Sequence, residues 1–143
     1  MSKRWVLLPK KSDDTVEQLL INRKIPKKDW DVFLKPDFGK DLHDPYLMKN
    51  MSEAVERLLL AIKNKETIGL FGDYDADGIP GTALLYDLLK YLGLEAKVFI
   101  PTRQHGYGLN KEGIETLKKQ GVSLIITIDL GARNVEEVNY ARQ

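Results

Sequence analysis

TIGLFGDYDADGIPGTALLYDLL, residues 67–89, decides the fold. Its first six residues form a short apolar run ended by a glycine. Three aspartates follow at alternate positions, Asp73, Asp75 and Asp77, and Gly78 closes the turn. From Pro80 to Leu92 the pattern is helical. Proline suits a first helical turn, where its missing N–H would be unpaired in any case, and Gly93 fits a C-cap. The stretch reads as strand, acidic turn, helix, and the pattern recurs downstream. EAKVFI, residues 95–100, is a second strand, and Asn110 to Gln120 is a second helix stopped by Gly121. SLIITID, residues 123–129, is a third strand, and Asn134 begins a third helix. The continuous apolar run of the third strand predicts burial on both faces. Three strand–helix repeats make an α/β fold: a parallel Rossmann-like sheet with crossover helices. Such sheets bind ligands outside the carboxyl ends of their strands. Asp75, Asp77 and Asp129 fall there.

Upstream the composition is different. After the first few positions, residues 1–66 hold no strand-like apolar run. DDTVEQLLINRK, residues 13–24, reads as a helix with Asp13 or Asp14 near its N-terminus, Val16, Leu19 and Leu20 on one face, and Pro26 as its end. DWDVFLKP, residues 29–36, reads as a short helix closed by Pro36. From Pro45 to Lys63, the residues Leu47, Met48, Met51, Val55, Leu58, Leu59 and Ile62 recur at helical spacing. Such a stripe is core packing. The expected organisation is a mostly helical N-terminal region, 1–66, followed by the first part of an α/β domain, 67–143. There is no internal repeat and no low-complexity segment.

The 22 basic and 21 acidic side chains leave a net charge of +1, so any nucleic-acid surface must be a local patch. The absence of cysteine excludes disulfides, thiolate zinc sites and catalytic thiols. MSKRWVLLPKKSDD, at the N-terminus, has an apolar run too short for a signal peptide or membrane helix. The expected location is the cytoplasm, with no membrane partner.

Three chemistries compete for the acidic turn. Asp73, Asp75, Asp77 and Gly78 match the first, third, fifth and sixth positions of an EF-hand loop. The twelfth position should be a bidentate glutamate but is Leu84, the eighth is Pro80, and the flanks are strand and helix rather than two helices. Asp75–Ala76–Asp77–Gly78 also resembles the DxDG nucleophile motif of haloacid-dehalogenase-type phosphatases. There, however, Thr or Val usually follows where this chain has Ile79, and the motif normally opens its domain. The third chemistry is a two-metal phosphoesterase site. Ions of the Mg²⁺ or Mn²⁺ type prefer carboxylate oxygens, and a pair of them can clamp the attacking and leaving oxygens of a phosphodiester. Their charge offsets the repulsion among the aspartates. The helix N-terminus favours the ionised aspartates and suits a phosphate. The plain alternative is that these aspartates only cap helices and make turns. Three in alternation at one strand end, with Asp129 at another, favour the metal site.

At this level of detail the residues resemble a known family. GDYDADG after a strand, followed by GTALL, resembles motif I of the DHH phosphoesterase superfamily, and IITIDLG resembles motif II. IPTRQHGYGLN, residues 100–110, resembles the P-x-R…GYGL segment of RecJ-type single-strand-specific exonucleases. Trp5, LLINRKI, FLKPDF and DPYLMKNMSEAVERLLLAI resemble the pre-domain region of the same enzymes. The resemblance implies part of a 5′-to-3′ exonuclease on single-stranded DNA, dependent on Mn²⁺ or Mg²⁺ and acting in recombination and repair. It implies Asp75, Asp77 and Asp129 as catalytic metal ligands. Asp73 is a further ligand or an orienting carboxylate. The nucleophile is then a water activated by the metals, with no covalent enzyme intermediate. Arg103, His105 and Tyr107 are the substrate-side residues. Arg103 would meet a phosphate or stand as a solvated loop arginine, His105 would be a ligand, a proton donor or neither, and Tyr107 would stack on a base or pack beneath its loop. Partners would be single-stranded DNA and single-strand-binding or other repair proteins.

The chain departs from the family pattern in places. Only Gln104 and His105 separate Arg103 from GYG, one residue fewer than is common, and Ile79–Pro80–Gly81 replaces more polar residues. No DHH motif follows Asp129, and the two histidines, His43 and His105, lie in no such motif. The expectation is an N-terminal portion of a RecJ-like protein, inactive alone, with half of the metal site outside it. The alternatives are a non-catalytic DHH-type binding module or scaffold, or a different DHH phosphoesterase.

Overall fold

A computed structural model describes residues 4–143. The chain packs as two compact units, one ending at Lys49 and the other starting at Asn50.

The first unit has little core. Helix α1 spans Thr15–Asn22 and helix α2 spans Trp30–Leu34. Asp14 caps α1, its carboxylate accepting from the Glu17 N–H at 2.8 Å. The helix ends at Asn22, short of Pro26: Arg23 caps it, and Lys24 turns into the left-handed region at φ 57°. Leu20 is the buried apolar side chain of α1. The Trp30 indole N–H donates to the Ile25 carbonyl at 3.0 Å, tying the turn to α2. The apolar stripe that starts at Pro45 is not one helix. Pro45–Leu47 form a single 3₁₀ turn capped by Asp44, and Asn50 at φ 63° breaks the chain before the next helix.

The second unit is an α/β layer structure. Its elements in order are α3 (Met51–Lys63), β1 (Ile68–Gly72), α4 (Gly78–Tyr91), β2 (Ala96–Phe99), α5 (Lys111–Lys119), β3 (Leu124–Ile128) and α6 (Val135–Ala141). The strands form one parallel sheet in the order β2-β1-β3. Composition changes at residue 67 and packing changes at residue 50, so α3 lies between the two boundaries.

Side chains alternate along β1, as a strand requires. Ile68 and Leu70 join Ala61 of α3, Leu89 of α4 and Ala96 in one core cluster. Phe71 joins Leu109, Ile114 and Leu117 in another, with Val138 and Tyr140 of α6 packed against it. Asn110 caps α5, accepting from the Gly113 N–H at 2.8 Å. β1 is buried at all five positions because it is the central strand. β3 is only half-buried, and Thr127 is exposed. Its apolar run does not give burial on both faces because, among the described residues, it lies at the sheet edge. A groove of about 660 Å³ runs there, lined by Leu124 and Ile125 of β3, Ile114 of α5 and Val138 of α6.

Bordering the same groove, near the amino ends of β1 and β3, Arg57 of α3 forks onto Glu66 with N–O distances of 2.7 and 3.1 Å, and the Ser123 hydroxyl donates to the same carboxylate at 3.0 Å. The Arg57 guanidinium, with Ser123, holds the Glu66 carboxyl below its ordinary value of 4.5. A depressed carboxyl contributes stability above its unfolded value and loses it as pH falls through the lower folded value. Glu66→Gln should therefore lower the melting temperature at pH 7, and the gap to the parent should close below that range. A thermal melt series across pH checks this. Gly113 of α5 is a second test. Alanine there would improve helix propensity by about 1 kcal/mol. Its methyl would, however, lie 2.6 Å from the Phe99 ring and also strike Phe71. Overpacking costs about 1–3 kcal/mol, so Gly113→Ala should lower the urea midpoint.

Candidate metal centre

The register of the sheet builds the site. Gly72 of β1 pairs with Ile128 of β3, so the next residues, Asp73 and Asp129, emerge side by side at the carboxyl ends. The Asp73 N–H donates to the Ile128 carbonyl at 3.2 Å, carrying the pairing one step further. The turn into α4 is tight. A methyl at Gly78 would lie 2.6 Å from the Asp73 carbonyl, so only glycine lets α4 start this close to the strand end.

Asp73 is fully buried. One oxygen accepts from the Tyr74 N–H at 2.7 Å, and the other, Oδ2, has no partner. A buried acceptor without a partner is unfavourable, and far more so when charged. Asp75 accepts from the Gly78 N–H at 3.1 Å. Asp77 stands at the N-cap of α4, but its side chain caps nothing. Asp129 takes the left-handed conformation at φ 61°, a strained choice that Asp tolerates better than most residues. Asp73, Asp75 and Asp129 each present a carboxylate oxygen, and the three atoms lie within 4.8 Å of one another. Asp77 is outside this trio but close enough to act on both Asp75 and Asp129. Among the described residues, none of the four is in an ion pair with a basic side chain.

Asp75 and Asp129 are shifted in opposite directions. The Gly78 N–H, donating to its carboxylate, holds Asp75 below the usual range. Partial loss of hydration pushes Asp129 above it, and the charges of Asp77, Asp75 and Asp73 push the same way. Turn-making accounts for one oxygen of Asp73 and one of Asp75. It leaves the buried Oδ2 of Asp73, the Asp77 carboxylate and the Asp129 carboxylate without a structural task. An all-oxygen, all-anionic donor set with one desolvated, unpartnered oxygen fits a hard divalent cation.

The loop after β2 borders this cluster. Arg103 lies with its guanidinium carbon 5.8 Å from the centre of the Tyr74 ring. Tyr107 is not packed beneath the loop: it is 70% exposed, and its hydroxyl donates to the Asp129 carbonyl at 3.1 Å. His105 lies between its own loop and α5. Its Nδ1 accepts from the Thr102 N–H at 2.9 Å, and its Nε2 lies 3.4 Å from the Glu112 carboxylate. Three residues that sequence reasoning passed over also matter here. Tyr74, set between two of the aspartates, lies under Arg103. Arg133 and Asn134 line a cleft of about 610 Å³ together with Tyr107 and Asp129. Their proximity comes from the fold, and no local motif announces it.

This chain belongs to the DHH family: the model of the DHH family N-terminal domain matches residues 67–143. Within it, the similar proteins carry one description. The single-stranded-DNA-specific exonuclease RecJ of Bacillus subtilis is 40% identical over 104 residues, 72% of this chain and 13% of the relative. That of Thermus thermophilus is 36% identical over 103 residues, 69% of this chain and 15% of the relative. Among solved structures, exonuclease RecJ bound to manganese aligns with a TM-score of 0.59 at 36% identity, covering 65% of this chain and 24% of that one. RecJ in complex with Mn²⁺ from Thermus thermophilus aligns at 0.55 and 29% identity, covering 84% and 16%. The chain thus spans less than a fifth of the length of these curated relatives. The motif-level likeness and the parallel α/β fold read from sequence agree with these matches.

The raised Asp129 yields a prediction. With a folded value above the unfolded one, its charge destabilises the native state at neutral pH, and protonation on acidification relieves that burden. Asp129→Asn, which also tolerates the left-handed backbone, should melt higher than the parent in EDTA at pH 7. The difference should shrink as pH falls. Equal or lower melting at pH 7 would contradict the electrostatic account.

Proposed function

We propose that this chain forms one wall of a two-metal phosphodiesterase centre, part of a 5′-to-3′ exonuclease acting on single-stranded DNA in recombination and repair. The observation that carries the reading is the convergence of Asp73, Asp75 and Asp129 around a buried, unpartnered carboxylate oxygen in a chain of the DHH family. The manganese named for the two RecJ structures supports the choice of ion. Asp75, Asp129 and Asp73 would hold a Mn²⁺ or Mg²⁺, with Asp77 beside them as a further ligand. When bound, such ions supply Lewis-acid polarisation of a phosphodiester and an activated water.

The remaining residues act on the substrate side. Arg103, steadied over Tyr74, offers a planar cation to a backbone phosphate. The exposed ring of Tyr107 offers a stacking face to a base. His105 serves the same surface by holding the loop that presents both. Phosphate contact sets register without reading sequence, which suits a nuclease that must accept any strand. We place the protein in the cytoplasm, with single-strand-binding or other repair proteins as partners. Among the described residues no helix is long and apolar enough to cross a membrane. The match covers less than a fifth of the length of the curated relatives, and on that ground we infer that this wall does not cleave by itself.

Two assays test the reading. Mn²⁺ titrated into the chain, followed by the paramagnetic resonance of the free ion, should show uptake that Asp75→Asn or Asp129→Asn abolishes. Given Mn²⁺, the chain should leave 5′-labelled single-stranded DNA intact. Uptake indifferent to both substitutions would overturn the metal centre. Degradation that Asp77→Ala eliminates would overturn the inactivity of the isolated wall.

A further inference from the structure

The loop that carries Tyr107 is held from an unexpected direction. Gly106 and Gly108 flank the tyrosine with φ of 80° and 107°, so the chain bends around a ring that is 70% exposed. Such a turn has little stiffness of its own, since glycine is the most permissive residue. Its stiffness comes from Asn134, at the entrance to α6. The Asn134 amide oxygen accepts from the Leu109 N–H at 3.2 Å, and its amide nitrogen lies 3.4 Å from the Leu109 carbonyl as a donor. One side chain thus pairs with both backbone groups of one residue, as a neighbouring strand would. Leu109 is itself 5% exposed, so water is a poor substitute partner for those groups. Gly108 completes the fit: a methyl there would lie 2.9 Å from the Asn134 amide oxygen.

Asn134 stands at the N-cap position of α6, yet its side chain caps nothing there. Its amide nitrogen reaches Glu137 at 3.3 Å, but its oxygen is given to the loop. From that loop Tyr107 donates to the Asp129 carbonyl. This fixes the peptide plane that follows a residue already held at φ 61°. The direction of the Asp129 carboxylate follows from that backbone.

We propose that Asn134 is a positioning residue for the acidic centre. It clamps the Gly106–Leu109 turn so that Tyr107 holds the Asp129 backbone in the left-handed conformation that turns its carboxylate toward Asp73 and Asp75. The proposal rests on the metal-centre reading above. The hydrogen bonds of the Asn134 side chain go to Leu109 and Glu137 and to none of the four aspartates, and they link loops from two different strand–helix units.

The test uses the isotope-labelled chain in two arms. In the metal-free arm, Asn134→Ala should move the backbone resonances of Tyr107, Asp129 and Leu130 and speed amide exchange at Leu109. The β1 amides, Ile68–Phe71, should stay in place. In the second arm, Asn134→Ala should weaken Mn²⁺ uptake by about 10–100-fold, the range for residues that orient ligands. Gly113→Ala, destabilised in the core, should leave uptake unchanged and so serves as the control for general loosening. Tyr107→Phe should weaken uptake through the same link. The double variant should then lose little beyond Asn134→Ala alone, because residues acting in one chain of contacts are not additive. Asp129 resonances unmoved by Asn134→Ala would overturn the clamp, as would full additivity with Tyr107→Phe. A parent chain that takes up no Mn²⁺ would overturn instead the metal reading beneath it, and the first arm keeps the two failures apart.

Discussion

The parallel pairing of β1 with β3 is the constraint on which the rest depends. Its register sets Gly72 beside Ile128 and so delivers Asp73 and Asp129 to one place. A slip of one residue in a strand turns every side chain to the opposite face, so the pairing also decides which side chains reach each core. Ile68 and Leu70 face α3 and α4, while Phe71 faces α5 and α6. The site is therefore a by-product of correct packing. Its carboxylates converge because the apolar residues behind them have found their layers.

Against that gain stands a local penalty. Asp73 is buried with one oxygen unpartnered, Asp129 is held in a strained conformation, and like charges crowd around both. The fold tolerates this because the strands behind the cluster are tightly built. β1 is buried throughout, and the glycines at 72 and 78 admit close neighbours: the Thr82 side chain fills the space beside Gly72, and the Asp73 backbone lies against Gly78. Strain of this kind persists only where the surroundings over-determine it. A cation would relieve the repulsion and satisfy the stranded oxygen together.

Much of this was legible in the sequence, for identifiable reasons. The alternation of apolar runs with helical periods marks the parallel sheet. Sequence reading put Asp75, Asp77 and Asp129 foremost and Asp73 second, whereas the geometry sets Asp73 in the trio and Asp77 beside it. Asp13 or Asp14 and Asn110 read as helix starts because capping is local chemistry, and the structure uses Asp14 and Asn110. What stayed hidden depended on neighbours distant in sequence. The apolar run of β3 looks like that of a central strand, and only the strand order makes it an edge among the described residues. The stripe from Leu47 to Ile62 keeps helical spacing across a break that Asn50 imposes through its backbone. Tyr74 and Asn134 carry no motif of their own. Their roles under Arg103 and against Leu109 exist only once separate loops meet.

The distance along the chain between Asp73 and Asp129 has a kinetic consequence. β1, α4 and β2 are consecutive, so their pairing closes a comparatively short loop. β3 must wait for a longer one, and non-local contacts of that sort form late because loop closure precedes their reward. The acidic turn can exist in a partly folded chain, but its partner across the site arrives only when β3 docks. A cation held by both strands would then bind only once β3 has docked, and its uptake would report that docking.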